Sequence, residues 1–538
     1  MDWLKERIAV RGNEVTQLRR FRLFTPHSTV VWILVINLLV AATAFFKDVT
    51  MAAYFGTSSV ADAFSVAYYI PDTLGNGVFA TAVGLACVPA FSRLLTDRTK
   101  DRFLASFFRM AVGSTVVAAG GWLLLVVFGK QWMGPYLGNP PLTLLTLPLY
   151  YALLPALMFF PLAAVGTAAL QALGHYRASV AAPLVLNVLV WVASWWLMHQ
   201  QVAAGHGVEE VAWAVLLGVI AMAVFVWVRV LKRISPMVSV PIETLSLFSF
   251  REDLGIWRTL LWYGLYLGAF QSVGLVERYL AARLPSGTVA GLSYAYRVSQ
   301  FPIWVYVAAL ATFILPPLAR GMAKGQTSEV LTVVVRALKY SLIVAVPTML
   351  FFSVFRQPLV TALLSHGAFG LRSVQITSGM LLGYAWTILG QSVTVIGFRF
   401  FLASGNIRWP VLVSVLSALV NVLSDFVFVR WYGAPGLGFG AAAGASLNAL
   451  LMYGLVHRGL GIDLTKYARA LAKIGVSNLA ALLLMGMELE LWDFKLLPAS
   501  DAVDVAYVGF SAVLTAGVYL GLLVYLGVIR RPARVAMA

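Results

Sequence analysis

The segment 29-TVVWILVINLLVAATAFF-46 runs directly into 45-FFKDVTMAAYFG-56, and together they predict one long helix. The apolar part is long enough to cross the roughly 30 Å hydrocarbon core of a bilayer. Lys47 and Asp48 lie near the end of this helix, where a charge that faces lipid costs at least about 2.5 kcal/mol. We therefore expect a membrane span that keeps its two charges inside the protein or at the membrane interface.

The composition extends this interpretation to the whole chain. Of the 538 residues, 60% are hydrophobic and only 11% are charged, and the mean hydropathy is +0.85. A soluble protein of this size cannot cover so much apolar surface with so few charges, so the sequence indicates an all-α polytopic membrane protein. We predict fourteen spans, at residues 29–56, 60–92, 104–128, 143–172, 178–198, 210–230, 256–281, 288–319, 333–354, 375–402, 410–429, 437–457, 470–488 and 503–528.

Basic residues concentrate in every second loop, as is typical of cytoplasmic loops. The N-terminal segment 1–28 is basic and too polar for a cleavable signal peptide, and the C-terminal tail is basic as well. The alternation predicts an even number of spans with both termini in the cytoplasm. The basic loops after even-numbered spans carry Arg93, Arg98, Lys100 and Arg102; Arg177; Arg229, Lys232 and Arg233; Arg320 and Lys324; Arg408; and Arg458 and Lys466.

An internal repeat divides the chain into two halves. The stretch 58-SSVADAFSVAYYI-70 is similar to 286-SGTVAGLSYAYRV-298, and 88-VPAFSR-93 is similar to 315-LPPLAR-320. Each half holds six spans, so both run in the same direction and are related by an axis along the membrane normal. The predicted organisation is a cytoplasmic N-terminus at 1–28, an N-lobe at 29–230, a cytoplasmic linker at 231–255, a C-lobe at 256–457, and two extra spans with a tail at 458–538.

Two lobes of the same orientation predict a substrate site at their interface, near the middle of the membrane. Lys47 and Asp48 point about 100° apart on a helix, so we expect them not to pair with each other. Either one of them reaches the outer interface, or Lys47 faces the cavity while Asp48 contacts a neighbouring helix. Arg297 lies deep in span eight and is the strongest candidate for a cavity charge.

Further polar residues have two interpretations each. Asp62 opens span two, either as a helix N-cap or as a group at the cavity mouth. Arg399 lies near the cytoplasmic end of span ten, where an interfacial position is expected. A cavity lined by Lys and Arg suits an anionic, phosphorylated substrate. The residues therefore predict a transporter of an anionic compound.

Several other classes of function have little support. The sequence has no Walker phosphate loop, no HExxH motif and no nucleophile elbow, so we expect no enzyme and no cofactor. The single cysteine, Cys87, forms no internal disulfide. The net charge of +17 fits cytoplasmic loops at anionic lipid headgroups better than nucleic acid. Energy must then come from an ion gradient, the membrane potential or the substrate.

Between residues 28 and 460 the chain resembles the MurJ/MviN family of lipid II flippases, in the multidrug/oligosaccharidyl-lipid/polysaccharide exporter superfamily. The resemblance rests on motifs in both halves of the chain. They are Lys47-Asp48, Phe55-Gly56, Asp62-Ala63-Phe64, Pro71 and Val88-Pro89, followed by 294-YAYRVSQFP-302, 315-LPPLAR-320, 364-LSHGAF-369, 404-SGNIRWP-410 and 421-NVLSD-425.

The resemblance implies a V-shaped, two-lobed flippase that works by alternating access in a bacterial cell membrane. Its cargo would be the undecaprenyl-pyrophosphate-linked precursor of peptidoglycan, exported to the outer leaflet for cell-wall biogenesis and cell shape. Lys47 falls where the family has an essential arginine, and Arg297 falls at an arginine of span eight. The two extra spans would form a groove for the lipid tail. Implied partners are membrane lipids and cell-wall synthesis proteins, with coupling to the membrane potential or a monovalent ion.

The chain also departs from the family pattern, always towards less charge. Ala41, the pair Gly75-Asn76, Gln300 and Val395 stand where the family usually has charged residues, although Arg399 lies one turn beyond Val395. Three explanations stay open at this stage: fewer contacts to the same cargo, a different polyprenyl-linked oligosaccharide for a surface polysaccharide, or a non-transporting cell-wall scaffold. A drug/cation antiporter is less favoured, because it requires buried carboxylates and usually has twelve spans.

Overall fold

The computed structural model describes residues 27–96, 100–237, 253–303, 306, 308–404, 406, 408–493 and 501–529. The regular structure of these residues is helical, which confirms the all-α fold. The helices are α1 His27–Phe55, α2 Ser59–Pro71, a π-helical segment Asp72–Ala80, α3 Thr81–Thr96, α4 Lys100–Leu137, α5 Pro140–Leu153, α6 Ala156–Ala172, α7 Tyr176–His199, α8 Ala204–Ile234, α9 Leu254–Ala281, α10 Thr288–Pro302, α11 Ala308–Ala323, α12 Thr327–Val354, α13 Arg356–Leu364, α14 Leu371–Ser404, α15 Arg408–Tyr432, α16 Pro435–Leu460, α17 Ala468–Asp493 and α18 Asp501–Tyr525.

Thirteen helical stretches of the described residues are long and apolar enough to cross a membrane. The remaining predicted span, 288–319, contains α10 and α11, and residues 304, 305 and 307 between these two helices lie outside the described part of the chain. The predicted N-terminal segment 1–28 and most of the linker 231–255 lie outside the described residues.

The helices pack into two compact units. The first unit holds the described residues up to Ala290 together with Gly367–Phe369, and the second holds Gly291–His366 and the described residues from Gly370 onwards. Helix α9 packs within the first unit, against α3 and the π-helical segment. The lobe boundaries that the internal repeat suggests stay a prediction.

In the second unit, α16 packs closely against both α14 and α15, because glycines line its contacts. A Cβ at Gly438 would overlap the carbonyl oxygen of Met380 on α14, and one at Gly440 would overlap the carboxylate of Asp425 on α15. Small residues allow membrane helices to approach at backbone distance, where van der Waals contact replaces the missing hydrophobic drive. The extra helices α17 and α18 are fixed differently, by an apolar cluster with α12 and α13 that includes Phe355, Ile474 and Leu523.

In the first unit, a buried ion pair fixes the start of α9. The Nε of Arg109 on α4 lies 2.6 Å from Oδ2 of Asp253, and the hydroxyl of Ser106 donates to Oδ1 at 2.8 Å. The side chains of Arg109 and Asp253 are only 2% and 5% exposed. Removing one partner of such a pair leaves an uncompensated buried charge, which costs far more than the pair itself contributes.

We therefore expect Arg109→Ala to lower the free energy of unfolding by about 3–5 kcal/mol, since Asp253 keeps its buried charge. The double variant Arg109→Met/Asp253→Leu should recover most of this loss because no charge is left behind. Chemical unfolding of the detergent-solubilised protein, followed by tryptophan fluorescence, measures both.

A matched control is Lys466→Ala, which breaks the exposed pair between Lys466 and Asp463, whose side chains are 74% and 43% exposed. Exposed pairs contribute little, so no measurable change is expected. Equal losses in Lys466→Ala and Arg109→Ala would contradict a special role for the buried pair.

Candidate functional site

Lys47 lies buried within the first unit. The residue is 7% exposed, which speaks against its reaching the outer interface. Its Nζ lies 3.5 Å from Oδ1 of Asp48, so the prediction that these neighbours would not pair is wrong. The Cβ atoms do point apart, but the flexible four-carbon stem of lysine lets the ammonium group turn back to the next residue. The result is a buried cation next to its own counter-ion.

Helix α1 is held in place by α7. The side-chain amide of Asn187 donates to the carbonyl of Val40 at 3.5 Å, and the rings of Phe46 and Trp191 stack with centroids 5.5 Å apart. Ala41, where the family usually has a charge, is half-buried one residue beyond that carbonyl. These contacts fix the helix that carries Lys47.

Asp62 caps a helix other than its own. The N-cap of α2 is Ser58, whose hydroxyl accepts from the Ala61 N–H, so the expectation that Asp62 caps its own span is wrong. The Asp62 carboxylate accepts the N–H groups of Gly287 and Ala290, at 2.6 and 2.7 Å, at the start of α10. A helix N-terminus carries unpaired N–H groups and a partial positive charge, which an aspartate satisfies. Asp62 therefore positions the start of α10, and a direct contact with substrate stays a prediction.

The motif Phe55-Gly56, at the C-terminal end of α1, meets a motif of the second half of the sequence. The N–H of Ala368, in the stretch 364-LSHGAF-369, donates to the carbonyl of Ala53 at 2.7 Å. Gly56 and Gly367 take φ values of +57° and +58° at this contact, a conformation that favours glycine. Two motifs that are far apart in sequence are thus parts of one contact.

The C-terminal half of α9 also contacts α2. The guanidinium carbon of Arg278 lies 3.5 Å from the centroid of the Tyr69 ring, and the Tyr69 hydroxyl donates to the carbonyl of Gln271 at 3.1 Å. Arg278 is 8% exposed, and the adjacent Glu277 is 7% exposed. No sequence pattern predicted that an aromatic ring would receive the arginine.

The remaining candidates lie in the second unit. Arg297 is half-buried on α10, and Gln300 is 4% exposed. The side-chain nitrogen of Gln300 hydrogen-bonds to no described residue. Arg399 on α14 is half-buried rather than fully exposed at an interface. Lys47, Asp48 and Asp62 belong to the first unit, so the convergence of Lys47 and Arg297 on one cavity stays a prediction.

The second unit also contains an apolar groove, which we name the α12–α17 groove after its first and last helices. Its volume is about 470 Å³, and its walls come from α12, α14, α16 and α17. Lys339 is the charged residue in its described lining, and its Nζ donates to the carbonyl of Val528 at 2.7 Å. No group of three or more His, Cys, Asp or Glu side chains in the described ranges is arranged to hold a metal ion.

The cap at Asp62 is open to a direct test by hydrogen exchange. We expect Asp62→Ala to accelerate exchange of the amides of residues 287–290, because two buried N–H groups lose their acceptor. Asp62→Asn keeps one good acceptor and should give an intermediate rate. The control Asp101→Ala changes an exposed aspartate in the first turn of α4. Unchanged exchange at 287–290 in Asp62→Ala would contradict the cap.

The comparisons with known proteins agree on one family. The family model described as lipid II flippase MurJ matches residues 51–497. The chain is 26% identical over 507 residues to the lipid II flippase MurJ of Burkholderia cenocepacia, covering 91% of this chain and 95% of the relative. It is also 26% identical to the probable lipid II flippase MurJ of Rhizobium meliloti, over 77% of this chain and 78% of the relative.

Solved structures show the same fold. A structure of the lipid II flippase MurJ in an inward closed conformation matches with a TM-score of 0.74 at 17% identity, covering 92% of this chain and 98% of that one. An inward-facing multidrug resistance transporter of the MATE family matches with a TM-score of 0.65 at 16% identity, covering 80% and 98%. The family model matches most of the chain, and relatives from two organisms carry the same name. The chain therefore belongs to the lipid II flippase MurJ family.

Proposed function

We propose that this protein is a flippase that carries lipid II, the undecaprenyl-pyrophosphate-linked peptidoglycan precursor, from the inner to the outer leaflet by alternating access. Membership of the MurJ family over residues 51–497 supports this function. The structural observation that carries the proposal is the α12–α17 groove, because its chemistry matches the tail of such a cargo.

The α12–α17 groove offers an apolar surface that a polyprenyl chain can follow. Trp386 and Leu450 line it and are 49% and 68% exposed, so large apolar groups are available to a lipid chain. Because the chain comes from the lipid rather than from water, van der Waals contact with these groups holds it in the groove. Ala470, Leu471 and Ile474 complete the wall from the first extra helix. The solved flippase structure matches 92% of this chain, whereas the MATE transporter structure matches 80% of it. The difference is consistent with a groove that depends on the two extra spans.

The buried charges suit the pyrophosphate. The ammonium group of Lys47 is shielded from solvent and paired with Asp48, so a phosphate oxygen can replace the carboxylate without leaving a bare cation. Arg297 offers a planar guanidinium, which binds phosphate oxygens in a bidentate manner. In this proposal the two residues hold the phosphate groups, and Asp48 returns to Lys47 when the cargo leaves.

The other parts of the proposal follow from the same role. The protein is a transporter without a catalytic step, and it lies in the bacterial cell membrane with both termini in the cytoplasm. The membrane potential or a monovalent ion supplies the energy. The comparisons do not favour the exporter of another polyprenyl-linked glycan or the cell-wall scaffold. The likeness to multidrug transporters concerns the fold alone.

Growth complementation tests this function. In a bacterium depleted of its own lipid II flippase, this chain should restore colony formation. Lys47→Ala and Arg297→Ala should each reduce rescue at least about tenfold, because the loss of a charged hydrogen bond costs about 1.5–3 kcal/mol. Lys47→Arg should retain rescue because it keeps the charge.

The matched controls are Lys130→Ala and Arg320→Ala, which remove exposed cations at helix positions in each unit. Both should rescue as the wild type does. Full rescue by Lys47→Ala and Arg297→Ala would exclude the proposed phosphate site, and absent rescue by the wild type at a normal membrane level would contradict the flippase function.

A further inference from the structure

The middle of the second predicted span is a π-helix rather than an α-helix. It covers Asp72–Ala80 and follows directly after Pro71. At its end the carbonyl of Asn76 accepts both the backbone N–H and the hydroxyl of Thr81, the latter at 2.9 Å. π-helical turns are rare and often occur at functional sites, because the wider turn redirects side chains. The segment contains Gly75 and Asn76, where the sequence departs from its family.

Close packing explains the glycine at position 75. A Cβ there would lie 2.8 Å from Cδ2 of Phe160 and 3.4 Å from Cα of Leu157, both on α6. A side chain at this position would therefore require the ring of Phe160 to shift. The neighbouring Asn76 is exposed, and its amide donates to Oδ1 of Asp72 at 3.2 Å.

The π-helical segment borders a pocket of the first unit, which we name the α3–α7 pocket after helices α3, α6 and α7 that form most of it. Its volume is about 510 Å³, within the range of small-molecule sites. None of the described residues that line it is charged. Its polar lining residues are Asn76, Thr81, Thr167, Gln171 and Ser179.

Two of these polar side chains are available to a ligand. Thr167 and Gln171 lie one turn apart on α6, so they share a face of the helix. No hydrogen bond joins either side chain to a residue that the structure describes, whereas the hydroxyls of Thr81 and Ser179 are bound to nearby carbonyls. Polar groups inside a membrane protein need hydrogen-bond partners. A ligand in the pocket can provide them for Thr167 and Gln171.

We propose that the α3–α7 pocket binds the uncharged sugar part of the lipid-linked cargo. This inference rests on the proposed flippase function and assigns the sugar to a site of its own. The lining has no cation for a pyrophosphate, but it offers hydroxyl and amide groups for sugar hydroxyls and acetamido groups. The exposed ring of Pro183 provides apolar surface for a sugar face. In the predicted topology the pocket lies in the cytoplasmic half of the membrane.

Two lipids separate the sugar contribution from the phosphate contribution. The probes are undecaprenyl pyrophosphate and the same lipid carrying a disaccharide, and binding is measured to the full chain in nanodiscs. The wild type should bind the disaccharide lipid at least about tenfold more tightly than the bare lipid. In Thr167→Val/Gln171→Leu this ratio should fall to within about twofold, since each lost hydrogen bond weakens binding by about twofold to tenfold.

Two further variants make the result specific. Gln200→Leu changes an exposed glutamine outside the pocket and should leave the ratio as in the wild type. Lys47→Ala should weaken binding of both lipids and keep their ratio. Unchanged affinity of Thr167→Val/Gln171→Leu for the bare lipid shows that this variant is folded.

The outcomes distinguish the two proposals. A wild-type ratio near one, or a ratio that Thr167→Val/Gln171→Leu leaves intact, overturns the sugar pocket while binding of the bare lipid still supports the flippase. Failure of the wild type to bind either lipid contradicts the flippase function and the sugar pocket together.

Discussion

A charge buried among packed helices is tolerated only when the protein itself provides its partner, and this constraint governs how the helices of this chain are held. Asp253 is satisfied by Arg109 and Ser106, and Asp62 by two backbone N–H groups. Each of these groups lies where a helix begins, so the electrostatic requirement also fixes the helix ends. The alternative to such a contact is an unpaired buried charge, which makes the arrangement specific.

The same constraint explains why the proposal assigns chemically different parts of the cargo to different surfaces of the protein. A cargo with a lipid tail, a pyrophosphate and a sugar presents three surfaces that no single lining can satisfy. The α12–α17 groove is apolar, Lys47 is a buried cation beside Asp48, and the α3–α7 pocket has polar groups without charge. The smaller number of basic residues fits a chain in which the sugar has its own neutral contacts.

Composition and periodicity were sufficient to predict the class of the fold and most of its spans, because a span needs only enough apolar residues in a row. They did not predict the π-helical segment Asp72–Ala80, because a count of apolar residues does not specify how many residues form each helical turn. The pairing of Lys47 with Asp48 was missed because Cβ directions do not describe a long, flexible side chain. Neither interpretation of Asp62 included its contact with the start of α10, because that helix lies more than two hundred residues further along the chain.

The central claim is that this chain moves lipid II across the membrane, and the most direct measurement follows the lipid itself. Cells depleted of their own flippase and expressing this chain are labelled in lipid II, and a membrane-impermeant probe reports the fraction on the outer face. The account predicts that the outer fraction returns to the level of undepleted cells. An outer fraction that stays at the depleted level, while the chain is present in the membrane in normal amount, would contradict it.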